Sequence, residues 1–223
     1  MKILLHLCCA PCAAYPFLKL REEFEEVMGF WYNPNIHPFL EYQKRLEVVK
    51  LWAEKEDVRV IYKDEYDLKG FLRRVVYRES KKCFLCYHLR LRQTAIFARR
   101  GKFDYFGSTL MISPHQDQKL LRELMEALGK EYGVKPYLRK IEEGWRKSRQ
   151  LSKKMGLYHQ KYCGCIYSED ERYRKSNHLK KPLRGKVHHS ISSTPLEKRG
   201  GKNYGFVKSI LTVQPQFSSR SFN

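Results

Sequence analysis

Short apolar runs alternate with longer amphipathic segments along most of the chain. Four runs have the length of β-strands, at residues 1–7, 28–32, 58–62 and 103–106. Six segments carry apolar residues every three or four positions and predict helices, at residues 15–27, from 39 onward, 68–77, 84–100, 117–132 and 145–155. This alternation predicts an α/β fold, in which a parallel, Rossmann-like sheet has helices on its faces.

Polar or thiol residues follow three of the predicted strands. Cys8 follows the first strand, Asn33 the second and Ser108 the fourth. In open α/β sheets the ligand site lies beyond the carboxyl ends of the strands. We therefore expect Cys8, Asn33 and Ser108 to lie at one shared cleft.

The seven cysteines fall into three close groups. The groups are Cys8 with Cys9 and Cys12, Cys83 with Cys86, and Cys163 with Cys165. In a reducing compartment such groups indicate metal or redox sites, and an odd number excludes complete disulfide pairing. Thiolates suit both zinc and iron–sulfur clusters. Either centre would use four of the thiols, and the surplus would allow a second metal or a redox pair.

The Cys163-Gly164-Cys165 segment allows three interpretations from its residues alone. It could form a strained, reversible disulfide, clamp a metal through both sulfurs, or hold two inert thiols in a loop. Gly164 permits the tight backbone that this segment needs. The neighbouring side chains of His159, Lys161 and Arg172 are expected to lower the pKa of the thiols and so to favour thiolates.

The chain is strongly basic, which bears on its partners more than on its fold. It carries 44 Lys and Arg against 24 Asp and Glu, a formal net charge of +20. Residues 172–223 hold twelve basic residues and one acid, so we predict a folded domain over 1–171 and a basic extension over 172–223. Such a surplus predicts a nucleic-acid partner, because Lys and Arg neutralise phosphates and release counterions. An acidic membrane surface and plain solubility are the alternatives.

Basic and aromatic side chains supply the candidates for nucleic-acid contacts. We expect the backbone phosphates to be held by Lys153, Lys154, Arg172, Arg174 and Lys175. An unpaired base could stack on Tyr32 or Tyr87. The apolar N-terminal run is shorter than a signal-peptide core and no run approaches a membrane span, so we expect a soluble, cytoplasmic protein.

Five motifs along the chain occur in an order typical of one known family. They are His6-Leu7-Cys8-Cys9-Ala10-Pro11-Cys12, Tyr32-Asn33-Pro34-Asn35-Ile36-His37-Pro38, Cys83-Phe84-Leu85-Cys86-Tyr87, Ser113-Pro114-His115-Gln116, and Tyr158, Gln160 and Tyr162 before Cys163-Gly164-Cys165. Together they resemble the QueH type of epoxyqueuosine reductase. The resemblance runs from about residue 3 to residue 168 and finds no motif after Arg172.

The resemblance implies an activity, a cofactor and a fold. The activity is reduction of the epoxide of epoxyqueuosine in the anticodon loop of tRNA, the final step in making queuosine. The cofactor is a 4Fe-4S cluster, and the fold is that of PP-loop (HUP-like) proteins, with the cluster at the carboxyl ends of the strands. Cys8-Cys9-Ala10-Pro11-Cys12 replaces the phosphate-binding loop of PP-loop enzymes, so ATP chemistry is not expected.

Carried onto this sequence, the resemblance implies four cluster ligands and a redox pair. The ligands would be Cys8, Cys9, Cys83 and Cys86, and the catalytic redox pair would be Cys163 and Cys165. A cluster on three cysteines beside a mononuclear iron held by the others would satisfy the same motifs. In that arrangement Cys12 is equally well placed as a ligand.

Removal of an epoxide oxygen as water needs two electrons and two protons, whereas a cubane cluster delivers electrons singly. We therefore expect a second redox or metal centre at Cys163 and Cys165, and an electron donor that the sequence does not identify. The candidate proton donors are His6, His115 and Tyr162. A zinc-stapled RNA-binding module without redox activity is the alternative function that the cysteine spacing and charge allow.

Overall fold

The structure is a computed structural model that describes residues 1–139 and 144–178, with side chains described as far as Arg174. Its described part is built on five strands: β1 (Lys2–His6), β2 (Glu26–Trp31), β3 (Val60–Tyr62), β4 (Tyr105–Ser108) and β5 (Lys135–Pro136). All neighbours pair in parallel, in the order β3-β2-β1-β4-β5. The predicted parallel α/β sheet is confirmed, and β1 lies at its centre.

Seven helices flank this sheet in the described ranges. They are α1 (Ala10–Glu23), α2 (Phe39–Lys55), α3 (Leu68–Val75), α4 (Lys82–Arg100), α5 (Gln118–Tyr132), α6 (Gly144–Lys154) and α7 (Ile166–His178). The six predicted helices are all present. The sequence pattern did not predict α7, whose residues are mostly charged or polar, nor the two-residue strand β5.

The first helix begins five residues earlier than the pattern predicts. Pro11 occupies the first turn of α1, where its missing N–H costs nothing and its fixed φ suits the helix. Cys9 takes the extended conformation of the residue before the helix, and Cys12 lies on the first turn. The segment between strand and helix is therefore shortened to Leu7, Cys8 and Cys9, and the thiols come close together.

Side chains alternate between the two faces of the central strands and form two separate cores. Leu4, Phe30 and Phe106 pack on one face, against α3, α4 and α5. Ile3, Leu5 and Trp31 pack on the opposite face, against α1 and α2. Because β1 is covered on both faces, it is apolar from Ile3 to Leu5.

The C-terminal part of the described chain continues the same domain. Helix α6 packs against α1. Helix α7 runs across the predicted boundary between residues 171 and 172, and residues 179–223 lie outside the described residues. Among the described helices, none is both long and apolar enough to cross a membrane.

Candidate metal centre and adjoining cavity

Three thiols converge where β1 passes into α1. The sulfurs of Cys8, Cys9 and Cys12 lie within 4.8 Å of one another, and those of Cys8 and Cys9 are 3.8 Å apart. Cys9 precedes the helix and Cys12 follows one turn later, so the helical geometry brings both to one side. Within residues 1–139 and 144–178, this trio is the one group of three or more Cys, His, Asp or Glu that is close enough to hold a metal.

The three thiols differ in how readily they lose a proton. The pKa of Cys8 is lowered, because the thiols of Cys12 and Cys9 hydrogen-bond to it and the Thr109 hydroxyl adds a further bond at 3.1 Å. Burial raises the pKa of Cys9, and hydrogen bonding to Cys8 raises that of Cys12. The arrangement therefore favours a thiolate at Cys8, supported by the two neighbouring thiols.

Two residues that were not predicted hold this trio from other parts of the chain. Thr109, just after β4, also accepts a hydrogen bond from the Cys8 backbone N–H at 2.9 Å. The Gln160 side-chain amide donates to the Cys9 sulfur at 3.0 Å and faces the Cys12 sulfur at 3.7 Å. Gln160 stands in the motif that precedes Cys163, and Thr109 follows the end of a predicted strand. The sequence placed both residues next to candidate site residues, but it did not show that they contact the cysteines.

The other four cysteines form a second group. Cys83 and Cys86 lie one turn apart at the start of α4, while Cys163 and Cys165 precede α7. Withdrawal from water raises the pKa of Cys83, and raises that of Cys86 to about 12. The charges of Cys163 and Cys165 add to both shifts, so the two pairs lie within electrostatic reach of each other.

The pairing of cysteines thus differs from the ligand set that the family resemblance implies. Cys12, rather than Cys83 or Cys86, completes the trio with Cys8 and Cys9. The set of Cys8, Cys9, Cys83 and Cys86 remains a prediction. The reason for the difference is that α1 starts directly after Cys9, which brings Cys12 to the same sulfur cluster.

The environment of Cys163 also differs from expectation. The cations beside it were expected to lower its pKa, but withdrawal from water raises it. The Gln116 side-chain amide donates to the Cys163 sulfur at 3.5 Å, and the Tyr87 hydroxyl donates to Gln116 Oε1 at 2.9 Å. Tyr87 and Gln116 thus connect α4 to the Cys163 loop.

Arg45 holds the Cys163-Gly164-Cys165 loop by its backbone. This guanidinium is 2 % exposed and donates to the carbonyls of Cys163 at 2.8 Å and Tyr162 at 3.1 Å. Its Nε donates to Glu41 at 2.7 Å. At Gly164 φ is +151°, and an added Cβ would lie 3.2 Å from the Arg45 guanidinium. The guanidinium therefore holds the loop through main-chain atoms and does not contact its sulfurs.

His6, a candidate proton donor, is held inside the sheet edge. Burial lowers its pKa to about 4, so the ring is neutral near pH 7. Its Nδ1 lies 2.9 Å from the Ser108 hydroxyl, and its Nε2 lies 3.2 Å from Asn33 Oδ1. Asn33 and Ser108 lie at the carboxyl ends of their strands, but they are buried around His6 and do not share an open cleft with Cys8, contrary to expectation. The remaining candidate donors are His115 and Tyr162, which line the adjoining cavity.

A cavity of about 960 Å³ opens beside both groups of cysteines. Cys8, Cys12 and Cys163 lie in its wall. Among the residues that the structure describes, the charged ones that line it are Arg149, Lys161 and Arg172, and none of the described lining residues is acidic. The cavity therefore presents thiols and positive charge to whatever enters it.

The predicted nucleic-acid contacts lie in different settings. Arg172 lines the cavity, whereas Lys153 and Lys154 are exposed at the end of α6. Arg174 is exposed and pairs with Asp170 at 2.8 Å. The side chain of Lys175 lies outside the described residues. Tyr32 and Tyr87 are 6 % and 2 % exposed within the core, so neither ring presents an open face to a base in this structure.

Fold and site together define an α/β protein with a polythiol centre at the carboxyl edge of a parallel sheet. Residues 3–171 match the family model described as epoxyqueuosine reductase QueH. This chain belongs to the epoxyqueuosine reductase QueH family.

Two relatives in this family cover most of the chain. The epoxyqueuosine reductase QueH of Dehalococcoides mccartyi is 40% identical over 176 residues, which are 79% of this chain and 97% of the relative. That of Thermotoga maritima is 34% identical over 184 residues, 78% of this chain and 93% of the relative. Among solved structures, the U34-tRNA thiolase NcsA from Methanococcus maripaludis with its 4Fe-4S cluster superimposes with a TM-score of 0.49 at 15% identity, over 88% of this chain and 78% of that one.

Proposed function

We propose that this chain is an oxidoreductase that reduces epoxyqueuosine to queuosine in the anticodon loop of tRNA, the final step of queuosine biosynthesis. The observation that carries the proposal is the convergence of thiols from both cysteine groups on one positively charged cavity. Membership of the epoxyqueuosine reductase QueH family supplies the reaction and the tRNA substrate. The family assignment does not favour a zinc-stapled RNA-binding module without redox activity.

The trio of Cys8, Cys9 and Cys12 fits a metal cluster. Soft thiolates are the ligands that iron–sulfur clusters take, and hydrogen bonds to the sulfurs adjust such sites. The Gln160 amide and the Thr109 hydroxyl already donate to these sulfurs. The three cysteines would hold a 4Fe-4S cluster, which supplies single electrons when bound.

The second group of cysteines fits a second redox or metal centre. Cys83, Cys86, Cys163 and Cys165 could hold a mononuclear iron, or Cys163 and Cys165 could act as a dithiol pair. The electrostatic coupling between the two pairs supports the first arrangement, but among the described residues these four sulfurs are not close enough together to hold a metal, so the pairs would have to approach each other. The adjacency of two thiols across Gly164 supports the second arrangement. An iron would supply the second electron that removal of the epoxide oxygen requires, whereas a dithiol pair would supply both electrons on closing to a disulfide. In either case an external electron donor would reduce the centre again.

The residues of the cavity wall would bind the substrate and supply protons. Arg149, Lys161 and Arg172 would hold RNA phosphates, since they are the charged side chains among the described residues of the wall. Burial raises the pKa of Tyr162, so its hydroxyl stays protonated near pH 7. That hydroxyl donates to the His37 carbonyl, which leaves the imidazole of His115 as the better placed proton donor in the wall.

The test of the cluster site compares serine variants of the two cysteine groups after anaerobic purification. We expect about four irons and four sulfides per chain at the trio, the stoichiometry of a cubane, and loss of both in Cys8→Ser, Cys9→Ser and Cys12→Ser. Cys83→Ser and Cys86→Ser should keep the sulfide. If these two lose the cluster while Cys12→Ser retains it, the ligand set implied by the family resemblance is the right one.

The test of the second centre is single-turnover reduction of tRNA that carries epoxyqueuosine. Cys165→Ser should keep the visible spectrum of the cluster and lose the product. Full turnover by this variant would exclude a redox or metal role for Cys165. A colourless wild-type protein with bound zinc and no sulfide would contradict the reductase itself.

A further inference from the structure

The cavity beside the thiols has the size of a pocket for one small ligand. Such pockets have volumes of about 300–1,000 Å³, and this cavity has about 960 Å³. A single nucleotide fits that space, whereas a folded anticodon loop does not. Enzymes that modify one base of a nucleic acid commonly take it out of its stack into such a pocket.

One side of this cavity is aromatic. Trp145 lies in the first turn of α6 and is half-buried. It meets the His115 ring edge-on, with the centroids 5.6 Å apart and the planes at 86°. The Arg149 guanidinium lies 5.6 Å from the centroid of the Trp145 ring. Trp145 and His115 line the same cavity as Cys8, Cys12 and Cys163.

The charged part of the wall suits a phosphate backbone. Arg149, Lys161 and Arg172 are exposed side chains that line the cavity. Within residues 1–139 and 144–174, none of the three forms a salt bridge. Cations beside an aromatic ring are the combination that binds single-stranded nucleic acid.

We propose that Trp145 is the residue on which the target base stacks after it leaves the anticodon loop, with His115 holding the indole at the required angle. Arg149, Lys161 and Arg172 bind the phosphates on either side of that nucleotide. This assignment rests on the proposed function and adds a specificity-determining residue to it. It also explains how a base finds an aromatic partner when Tyr32 and Tyr87 are buried.

Quenching of the intrinsic fluorescence reports almost only on Trp145. The chain has three tryptophans, and Trp31 and Trp52 are 0 % and 2 % exposed. A small neutral quencher such as acrylamide therefore reaches Trp145 far more readily than the other two. The quenching constant of the wild type minus that of Trp145→Phe reports the exposure of this single indole.

The experiment adds an anticodon stem-loop RNA, with or without epoxyqueuosine, to the anaerobically purified holoprotein. With the modified RNA, quenching of the wild type should fall to the level of Trp145→Phe, and quenching of the variant should not change. RNA that lacks the modified base should protect less. Anisotropy of a labelled RNA shows whether the RNA is bound. If acrylamide still quenches Trp145 fully when RNA is bound, the proposal is overturned.

Kinetics separate this assignment from the proposed function. Trp145→Ala should bind the modified RNA about 5- to 150-fold more weakly, the range for loss of one base–aromatic stack, while iron and sulfide contents stay at wild-type values. Trp145→Phe should recover most of the binding. If RNA protects Trp145 of the wild type from acrylamide but the protein reduces no substrate, the reductase function is wrong and the base site stands. If the wild type reduces the substrate and Trp145→Ala does so with unchanged KM, only the base site is wrong.

The phosphate contacts have their own measurement. Removal of Arg149, Lys161 or Arg172 by substitution with Ala should each reduce the slope of log K against log salt by about 0.7, the contribution of one contact to a single strand. Arg100→Ala, an exposed cation in the last turn of α4, is the matched control and should leave the slope unchanged. An equal change of this slope in all four variants would contradict a specific path of the RNA backbone across the cavity.

Discussion

At the scale of single residues, the site depends on hydrogen bonds that arrive at the sulfurs from distant parts of the chain. Thr109 and Gln160 reach the trio from positions about a hundred residues or more away in sequence. The Thr109 hydroxyl donates to the Cys8 sulfur at 3.1 Å and favours its thiolate form, whereas the Gln160 amide donates at 3.0 Å to the sulfur of Cys9, whose pKa burial raises. Their substitution should alter the thiols without altering the fold.

Thr109→Val should make Cys8 less reactive at neutral pH. The Thr109 hydroxyl is one of the groups that lower the pKa of Cys8, so its removal raises that pKa and reduces the thiolate fraction at any pH below it. We expect the alkylation profile of Cys8 in metal-free protein to move to higher pH, with a rate about tenfold lower at pH values below the wild-type midpoint, the effect of losing one hydrogen bond to a charged group. Peptide-level mass spectrometry against pH measures this rate.

Thr109→Ser is the matched control for that prediction, because it keeps the hydroxyl. Its alkylation profile should overlie that of the wild type. If Thr109→Val keeps the wild-type profile, or if Thr109→Ser departs from it as far as Thr109→Val does, the hydroxyl bond does not set the reactivity of Cys8.

Arg45→Met should destabilise the protein and release the Cys163 loop. The substitution leaves the largely buried carboxylate of Glu41 without its charged partner, although the Tyr158 hydroxyl still donates to it, and breaking a buried pair costs about 3–5 kcal/mol. Chemical denaturation should show this loss, and amide exchange at residues 162–165 should accelerate. Arg21→Met, on the surface of α1, removes a comparable guanidinium and should cost about 1 kcal/mol or less.

At the scale of elements, the start of α1 and the loop before α7 decide where the thiols lie. Pro11 starts the helix directly after Cys9 and so brings Cys12 to Cys8 and Cys9. The Cys163 loop is placed by backbone contacts with α2 and with the segment before it, including the bond from the His37 N–H to the Gly164 carbonyl at 2.7 Å. Both the start of α1 and the contacts of the Cys163 loop thus act through the main chain.

Gly164→Ala should displace the second group of cysteines. An alanine there would meet the Arg45 guanidinium and the Ile36 side chain, both at 3.2 Å, and would adopt a φ that alanine rarely takes. We expect loss of turnover together with a changed alkylation rate at Cys163. Gly156→Ala, also at positive φ but with no atom within 4 Å of the added Cβ, should cost only about 1 kcal/mol and keep the activity. Equal effects would show that backbone conformation alone is responsible.

At the scale of the whole molecule, the thiol centre, the cavity and the positive charge lie at one edge of the sheet. This is the edge at which α/β proteins hold their ligands, since the strands there end in loops that can carry chemistry without disturbing the core. The two cores on either face of the sheet consist of apolar side chains and support that edge. In the described domain, the residues that stabilise the fold are thus different from those that carry the chemistry.

The basic region after α7 should contribute to tRNA affinity through charge. Residues 179–223, which lie outside the described residues, carry nine Lys and Arg and one acid, so their net charge is 9 − 1 = +8. A protein that ends at residue 178 should bind tRNA more weakly and with a smaller slope of log K against log salt. Single-turnover rates at saturating tRNA should stay the same. An unchanged slope would place the phosphate contacts within residues 1–178.

The sequence by itself determined the class of fold, because the alternation of apolar runs and amphipathic segments is a local property that secondary structure follows directly. It also determined the three groups of cysteines, their character as a metal or redox site, and the family. The differences in boundaries have local causes too: α7 is mostly charged and polar, so its sequence shows no apolar face, and α1 begins before the periodic segment because Pro11 suits a first turn.

Only the tertiary structure decided which groups meet. The contact of Cys8 with Thr109 requires β1 and β4 to pair, and that of Cys9 with Gln160 requires the segment before α7 to return to α1. The burial of Tyr32 and Tyr87 and the position of Trp145 in the cavity wall likewise follow from packing. Periodicity along the chain reports which face of an element is apolar, whereas contacts between distant segments depend on how all the elements pack together.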